Sequence, residues 1–346
     1  MAMEYILLIS LLAAAFYVGW NIGANDAANC IGTTVGAAVL PFRSAALVMA
    51  VFVVLGGSLQ GHRVMETVGR GIVITDQDTY VVTHGTPPPH TFEQYFPDGR
   101  LPDEAILIAL LSAGLFVSLA TFLRFPVSTS QAIVGGVAGV GIGIAGFDPT
   151  VLVTSAITRI AASWVISPIL AMLLAFALYW LLGTLLRRAR AVAWSGLLRV
   201  GIILSAAYVS FSLGANDVGN AIGPLINKFP DRVSELALIG GVAIALGAMT
   251  FGRRVTDTVG HDITPLDYSA ALAAQLSAGF GVHIFSMLGI PVSTSQAMVG
   301  AVVGVGLTKG TRAVGMKKVV SIVAGWVVTP LCAAAFSAAA YWQFVR

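Results

Sequence analysis

The chain has 346 residues, of which 57% are hydrophobic and only 10% charged, with a formal net charge of +3. Soluble domains carry roughly a quarter charged residues, so this composition, with a mean hydropathy of +0.88, excludes an ordinary soluble enzyme and places the chain in a bilayer. Nucleic-acid binding wants a basic stripe; none stands out beyond Arg187–Arg190, which reads as a cytoplasmic anchor, and nucleic acid is set aside as a partner.

The first apolar run, Ile6–Tyr17, is followed by Ala46–Leu59, Ala105–Phe122, Ala161–Leu186, Leu236–Met249 and Val319–Tyr341. Several reach the ~20 residues that span a hydrocarbon core. In lipid they must be helices, because every backbone polar group needs an internal partner. The fold class that follows is an all-α integral membrane protein with about 10–12 membrane segments, re-entrant half-helices included. The first run has the small residues Ala13, Ala14 and Ala15 of a secretory signal. No basic residue precedes it and a matching stretch recurs at Leu197–Gly223, so it is read as a retained helix.

Next comes GANDAANCIG, Gly23–Gly32. An Asp deep in an apolar run is costly and by default marks an ion or substrate path. Asp26, with Asn25 and Asn29, offers a compact set of oxygen donors, and flanking glycines are expected to let the helix unwind and expose carbonyls. Such a set suits a hard monovalent cation such as Na⁺; the bland alternative is that Asn and Asp cap a broken helix. Cys30, within this motif, and Cys332 form no disulfide or metal pattern and read as packing residues.

After Ala46–Leu59 follows GHRVMETVG (Gly61–Gly69), where Glu66 is expected to pair with Arg63. An extramembrane insertion, about 75–103, carries Pro87, Pro88, Pro89 and several acids; His84 and His90 flank the prolines as solvated loop residues. Beyond Ala105–Phe122 stands FPVSTSQAIVGG (Phe125–Gly136). Pro126 sits where a helix would begin, so Ser128, Thr129, Ser130 and Gln131 crowd a first turn whose free N–H groups and positive dipole end attract an anion. Hydroxyls in membrane helices also commonly bond their own backbone. The glycines that follow, Gly135, Gly139 and Gly143, have close-packing spacing; a dinucleotide site would need a preceding strand and a downstream acid.

The second half repeats the first. At an offset of 191, GANDVGNAIG (Gly214–Gly223) lies on GANDAANCIG and GRRVTDTVG (Gly252–Gly260) on GHRVMETVG; at 165, IPVSTSQAMVGA (Ile290–Ala301) lies on the first PVSTSQ segment. WVISP (Trp164–Pro168) matches WVVTP (Trp326–Pro330). The halves therefore run 1–186 and 192–346 with a basic linker at 187–191, and the second supplies Asn216, Asp217 and Asn220, with Pro291, Ser293, Thr294, Ser295 and Gln296. Asp257 stands where the first half has Glu66, with Arg254 as its expected partner. The loop after the second PVSTSQ helix holds Lys309, Arg312, Lys317 and Lys318, whereas its counterpart near Gly146–Thr150 has Asp148. Under the positive-inside rule the two loops lie on opposite sides, as inverted repeats would place them. His283, on an apolar segment, is read as a packed, hydrogen-bonded histidine.

On these residues the chain resembles the inorganic phosphate transporter (PiT) family, whose signatures are a duplicated GANDVANA-like segment and a duplicated P-[IV]-S-[ST]-[ST]-like segment. All four copies are present, over nearly the whole chain. The resemblance implies a Na⁺- or H⁺-driven importer of inorganic phosphate, a multi-pass protein of the cell membrane with inverted repeats, working as a homodimer without a cofactor. It implies that Asn25, Asp26, Asn29, Asn216, Asp217, Asn220 and the two Ser-Thr-Ser sets form the substrate and cation sites. From the residues themselves, phosphate is expected at Ser128, Thr129, Ser130, Gln131, Ser293, Thr294, Ser295, Gln296, Asn25 and Asn216, and Na⁺ at Asp26, Asn29, Asp217 and Asn220. The chain departs at Ala28-Asn29-Cys30, at Gly219, and in having Gln131 and Gln296 where many relatives have His, which leaves the aspartates as the cation candidates and tilts the reading to Na⁺. A carboxylate beside a phosphate dianion would repel it by several kcal/mol at low effective dielectric, so bound cations must intervene. Rival readings are a sulfate permease of the same family, an anion channel using Arg63, Arg253 and Arg254, and an intramembrane enzyme. The last lacks a metal cluster or nucleophile–base pair, the histidines (His62, His84, His90, His261 and His283) being scattered.

Overall fold

The computed structural model describes residues 2–89, 91–122, 127–146, 148–186, 191–253, 256, 267–310 and 315–345. Pro126, Arg187–Arg190, Arg254, Asp257, His90 and His261 lie outside the described residues. The helices are α1 (Ala2–Gly36), α2 (Phe42–Gln60), α3 (His62–Arg70), α4 (Gln77–His84), α5 (Phe92–Tyr95), α6 (Asp103–Phe122), α7 (Thr129–Ile144), α8 (Thr154–Leu186), α9 (Ala191–Ile222), α10 (Val233–Thr250), α11 (Tyr268–Met287), α12 (Thr294–Thr308) and α13 (Met316–Phe344). Among the described residues there is no strand, only one isolated bridge between Val73 and Leu152.

Among the described residues, eight helices are long and apolar enough to cross a membrane, and α7 and α12 are shorter apolar helices. At ~1.5 Å per residue, the 16 residues of α7 and 15 of α12 fall short of the ~30 Å core. Each follows a longer helix after a break before Ser128 or Ser293. The chain is a multi-pass membrane protein, as the composition calls for, and its two repeats are those of the duplicated segments.

Contacts at the helix ends show how α1, α6, α9 and α11 lie against one another. Near the start of α6, Lys228, just past the end of α9, pairs with Asp103, and Arg100 pairs with the same carboxylate at 2.7 Å. At the other end of the molecule Asp267, capping α11, pairs with Lys309 after α12 at 3.1 Å. There Gln275 of α11 donates to the Cys30 carbonyl and to Thr34, both 3.0 Å, near the end of α1. Helix α9 thus finishes beside the start of α6, while α1 runs alongside α6 and finishes beside α11.

Packing crosses between the halves, and it explains the first glycine of each GAND motif. A Cβ on Gly23 would stand 1.8 Å from the Ile244 carbonyl of α10, and one on Gly214 2.1 Å from the Val53 carbonyl of α2. These helices meet backbone to backbone, as small residues allow in lipid. Both GAND segments lie in unbroken helix, α1 and α9, so the expected unwinding is corrected: the glycines serve contact, and the chain breaks at the PVSTSQ segments instead. The glycines of α7 and α12 do the same work. A Cβ on Gly135 would stand 2.4 Å from the Pro330 carbonyl of α13, and one on Gly300 2.1 Å from the Pro168 carbonyl of α8.

The insertion is ordered, not a bare loop. Asp76 caps α4 by accepting from the Thr79 N–H at 2.8 Å; Tyr80 packs edge to face on Phe92 at 5.2 Å, and Phe92 packs tilted on Phe96 at 5.4 Å. The expected Arg63–Glu66 pair is absent: Arg63 donates to the Met287 carbonyl and Glu66 is exposed. One helical turn of separation permits the ion pair, but the carbonyls at the end of α11 lack helical partners and offer an acceptor within reach.

Candidate functional site

The four motifs converge on one cluster. Ser128 and Ser293 sit at the N-caps of α7 and α12, where their hydroxyls accept the N–H groups of Gln131 and Gln296, each at 3.2 Å. That is the ordinary use of an N-cap serine. It sets Thr129 and Ser130, and Thr294 and Ser295, in first turns pointed at α1 and α9.

There they meet both aspartates. Asp26 Oδ1 accepts from Asn29 Nδ2 at 2.7 Å, Ser295 Oγ at 2.9 Å and Asn25 Nδ2 at 3.3 Å, while Oδ2 accepts from Thr129 Oγ1 at 3.2 Å. Asp217 Oδ1 accepts from Asn220 Nδ2 at 2.7 Å, Asn216 Nδ2 at 3.1 Å and Ser130 Oγ at 3.2 Å; Oδ2 accepts from Thr294 Oγ1 at 2.9 Å. Each carboxylate therefore takes its threonine from its own half and its serine from the other. The aspartates are 1% and 0% exposed. Buried carboxylates without a cationic partner are tolerable only when hydrogen-bonded this fully.

The halves are not equally covered. Asn216, Asn220 and Ser130 are fully buried, whereas Asn25 and Ser295 are half-buried. From Asn25 a polar line runs along the contact of α1 with α6. Thr121 Oγ1 donates to Asn25 Oδ1 at 3.4 Å, Ser118 Oγ donates to Asn21 Oδ1 at 2.7 Å, and Tyr17 Oη lies 2.6 Å from Ser118 Oγ.

All fourteen residues singled out from the sequence are placed here. Twelve belong to or cap the cluster; the side chains of Gln131 and Gln296 share the helix faces of Gly135 and Gly300, which pack on α13 and α8. Their Oε1 atoms are buried without a partner, as are Asn220 Oδ1 and the indole N–H groups of Trp164 and Trp326. The exchange of serines between halves was not foreseen, and neither was the Tyr17–Ser118 line. A signal existed: Tyr208 matches Tyr17 at the first offset and His283 matches Ser118 at the second, and their side chains meet at 3.0 Å. His283 also lies 2.7 Å from Gln60, the packed histidine anticipated. Among the described residues no group of three or more His, Cys, Asp or Glu could hold a metal; the carboxylate, carboxamide and hydroxyl oxygens of the cluster are of the kind that hard cations take.

Paired broken-hairpin repeats around buried carboxylates define a membrane transporter, built like other carriers with internal repeats and a site between them. The family is then identified by similarity. The model of the phosphate transporter family matches residues 22–198 and again 187–337, and the chain belongs to that family, whose members transport and are not enzymes. A protein of Thermococcus kodakarensis named "Putative phosphate permease" is 30% identical, with 96% of each chain covered. A like-named protein of Methanocaldococcus jannaschii is 31% identical over 93% of each. A solved structure named the sodium-dependent phosphate transporter superposes with a TM-score of 0.81 at 28% identity, covering 98% of both chains.

Proposed function

We propose that the chain imports inorganic phosphate by symport with Na⁺, its two repeats inverted in the membrane and its aspartate cluster binding both ions. The observation that carries this is the pair of buried carboxylates, each ringed by carboxamides of its own helix and by hydroxyls from both halves. Their charge is met here by hydrogen-bond donors. A cation would replace those donors: Asp26 with Asn29, Thr129 and Ser295 on one side, Asp217 with Asn220, Thr294 and Ser130 on the other, hydroxyls turning their lone pairs inward and carboxamides their oxygens. Phosphate then gains a site beside two cations in place of two anions, and that dependence is the coupling. The remaining donors, Asn25 and Asn216 with the starts of α7 and α12, contact the anion. The solved relative named for sodium dependence supports Na⁺ over H⁺, and the reversed ends of α1 and α9 support inversion. The working unit is a homodimer, as the family resemblance implies.

A second reading, sulfate, is disfavoured by the same carboxylates. HPO₄²⁻ can donate a hydrogen bond to an aspartate and sulfate cannot, and a site built around an acceptor rejects a ligand that leaves it unpaired. In proteoliposomes, labelled phosphate uptake should saturate and need a Na⁺ gradient, with excess sulfate a poor competitor. Equal inhibition by phosphate and sulfate would remove the preference, and a non-saturating flux would point to a channel.

A further inference from the structure

Val292 lies in the break between α11 and α12, and its peptide is gripped from both sides. Asn216 Nδ2 and Ser130 Oγ each donate to the Val292 carbonyl at 2.7 Å, and the Val292 N–H donates to Asn216 Oδ1 at 3.1 Å. All of these groups are buried. The corresponding residue of the first half, at the offset of 165, is Val127, in the break before α7. Everything needed to grip it in the same way is present: Asn25 corresponds to Asn216 and Ser295 to Ser130. Yet in this structure neither bonds it. Asn25 Oδ1 accepts from Thr121, its Nδ2 donates to Asp26, and the Ser295 hydroxyl donates to Asp26.

We propose that these are alternative latches, Asn216–Val292–Ser130 closed here and Asn25–Val127–Ser295 closed in the opposite-facing state of the carrier, with the serine hydroxyl as the switch. The proposal rests on the carrier reading, not on which anion is carried. A hydroxyl has one proton to donate. In the closed half Ser130 lies nearer the peptide, 2.7 Å from Val292 O against 3.2 Å from Asp217 Oδ1; in the open half Ser295 gives its proton to Asp26 at 2.9 Å. A cation bound at Asp26 would draw the Ser295 oxygen through a lone pair and turn its proton away from the carboxylate, freeing it for the Val127 carbonyl. Ion binding in the open half thereby favours the latch that closes it. Because both latches use the same residue types, the two states differ little in energy, which lets a ligand of modest differential affinity move the equilibrium.

Two cysteine pairs test this in membranes, on a background with Cys30→Ala and Cys332→Ala: Asn216→Cys with Val292→Cys, and Asn25→Cys with Val127→Cys. Disulfide yield is read from each in choline, in Na⁺ and in Na⁺ with phosphate. The expected result is that both pairs cross-link and that Na⁺ raises the yield of the 25–127 pair while lowering that of the 216–292 pair. A 25–127 pair that stays reduced under every condition, in protein whose 216–292 pair cross-links, overturns the proposal, as do yields that move in the same direction. If both pairs form but neither responds to Na⁺ or phosphate, the alternation stands, and the serine switch and the sodium reading fail.

Discussion

The Asp26 and Asp217 half-sites are built from the same motifs yet stand in different conditions. Asp217 is enclosed by fully buried Asn216, Asn220 and Ser130, and its serine also holds the Val292 peptide; Asp26 has half-buried neighbours in Asn25 and Ser295. Sequence duplication thus does not produce an equal pair of sites. One conformation lets one copy close and the other stay open, and a carrier made of two similar halves can exchange those roles without new parts.

The comparison breaks first at the aspartates. Asp26→Ala and Asp217→Ala should each reduce Na⁺-driven phosphate uptake to background, since each carboxylate anchors a cation in the proposed symport; normal uptake in either variant would contradict the assignment. Nearly as large is the effect of filling the crossed helix contacts. Gly23→Ala and Gly214→Ala place a methyl within 1.8 and 2.1 Å of backbone carbonyls, which flexible side-chain movement cannot relieve, so both should lower thermal stability in detergent by at least the ~1–3 kcal/mol of overpacking. Gly32→Ala, whose Cβ would find nothing nearer than 4.0 Å, should melt like the wild type.

A finer distinction lies in the serines. Ser130→Ala removes a hydroxyl shared by Asp217, Asn220 and Val292, and Ser295→Ala one shared by Asp26 and Asn29. Each lost hydrogen bond costs about 0.5–1.5 kcal/mol, so Ser130→Ala, which loses one partner more, should be the more destabilising in a thermal melt. Equal melting shifts would argue against the difference between the halves. Smallest is the pair of thiols: Cys332 is exposed and Cys30 buried beside the site, so a membrane-permeant maleimide should label Cys332 alone and leave uptake unchanged.

Much of this arrangement was legible in the sequence, and what was not has a physical reason. An Asp inside an apolar run and a proline-led Ser-Thr-Ser each signal function in lipid, and their duplication at fixed offsets brought Asp26, Asp217 and both helix starts into one hypothesis. The glycines of the GAND motifs misled, because a glycine in a membrane helix serves bending and close packing equally well, and only the neighbours Ile244 and Val53 decide between them. The crossing of Ser130 to Asp217 and of Ser295 to Asp26 was hidden for a similar reason: an internal alignment pairs equivalent residues but does not say which copy each one touches. Arg63 likewise found the Met287 carbonyl, an acceptor that no sequence spacing reveals.

The most direct measurement is phosphate-stimulated ²²Na⁺ uptake into proteoliposomes, comparing wild type with Asp26→Asn and Asp217→Asn. The wild type should take up sodium only when phosphate is supplied on the same side, and each variant should lose both fluxes together. Phosphate entry that persists unchanged in sodium-free medium, or in either variant, would contradict the joint binding of cation and anion by the two halves.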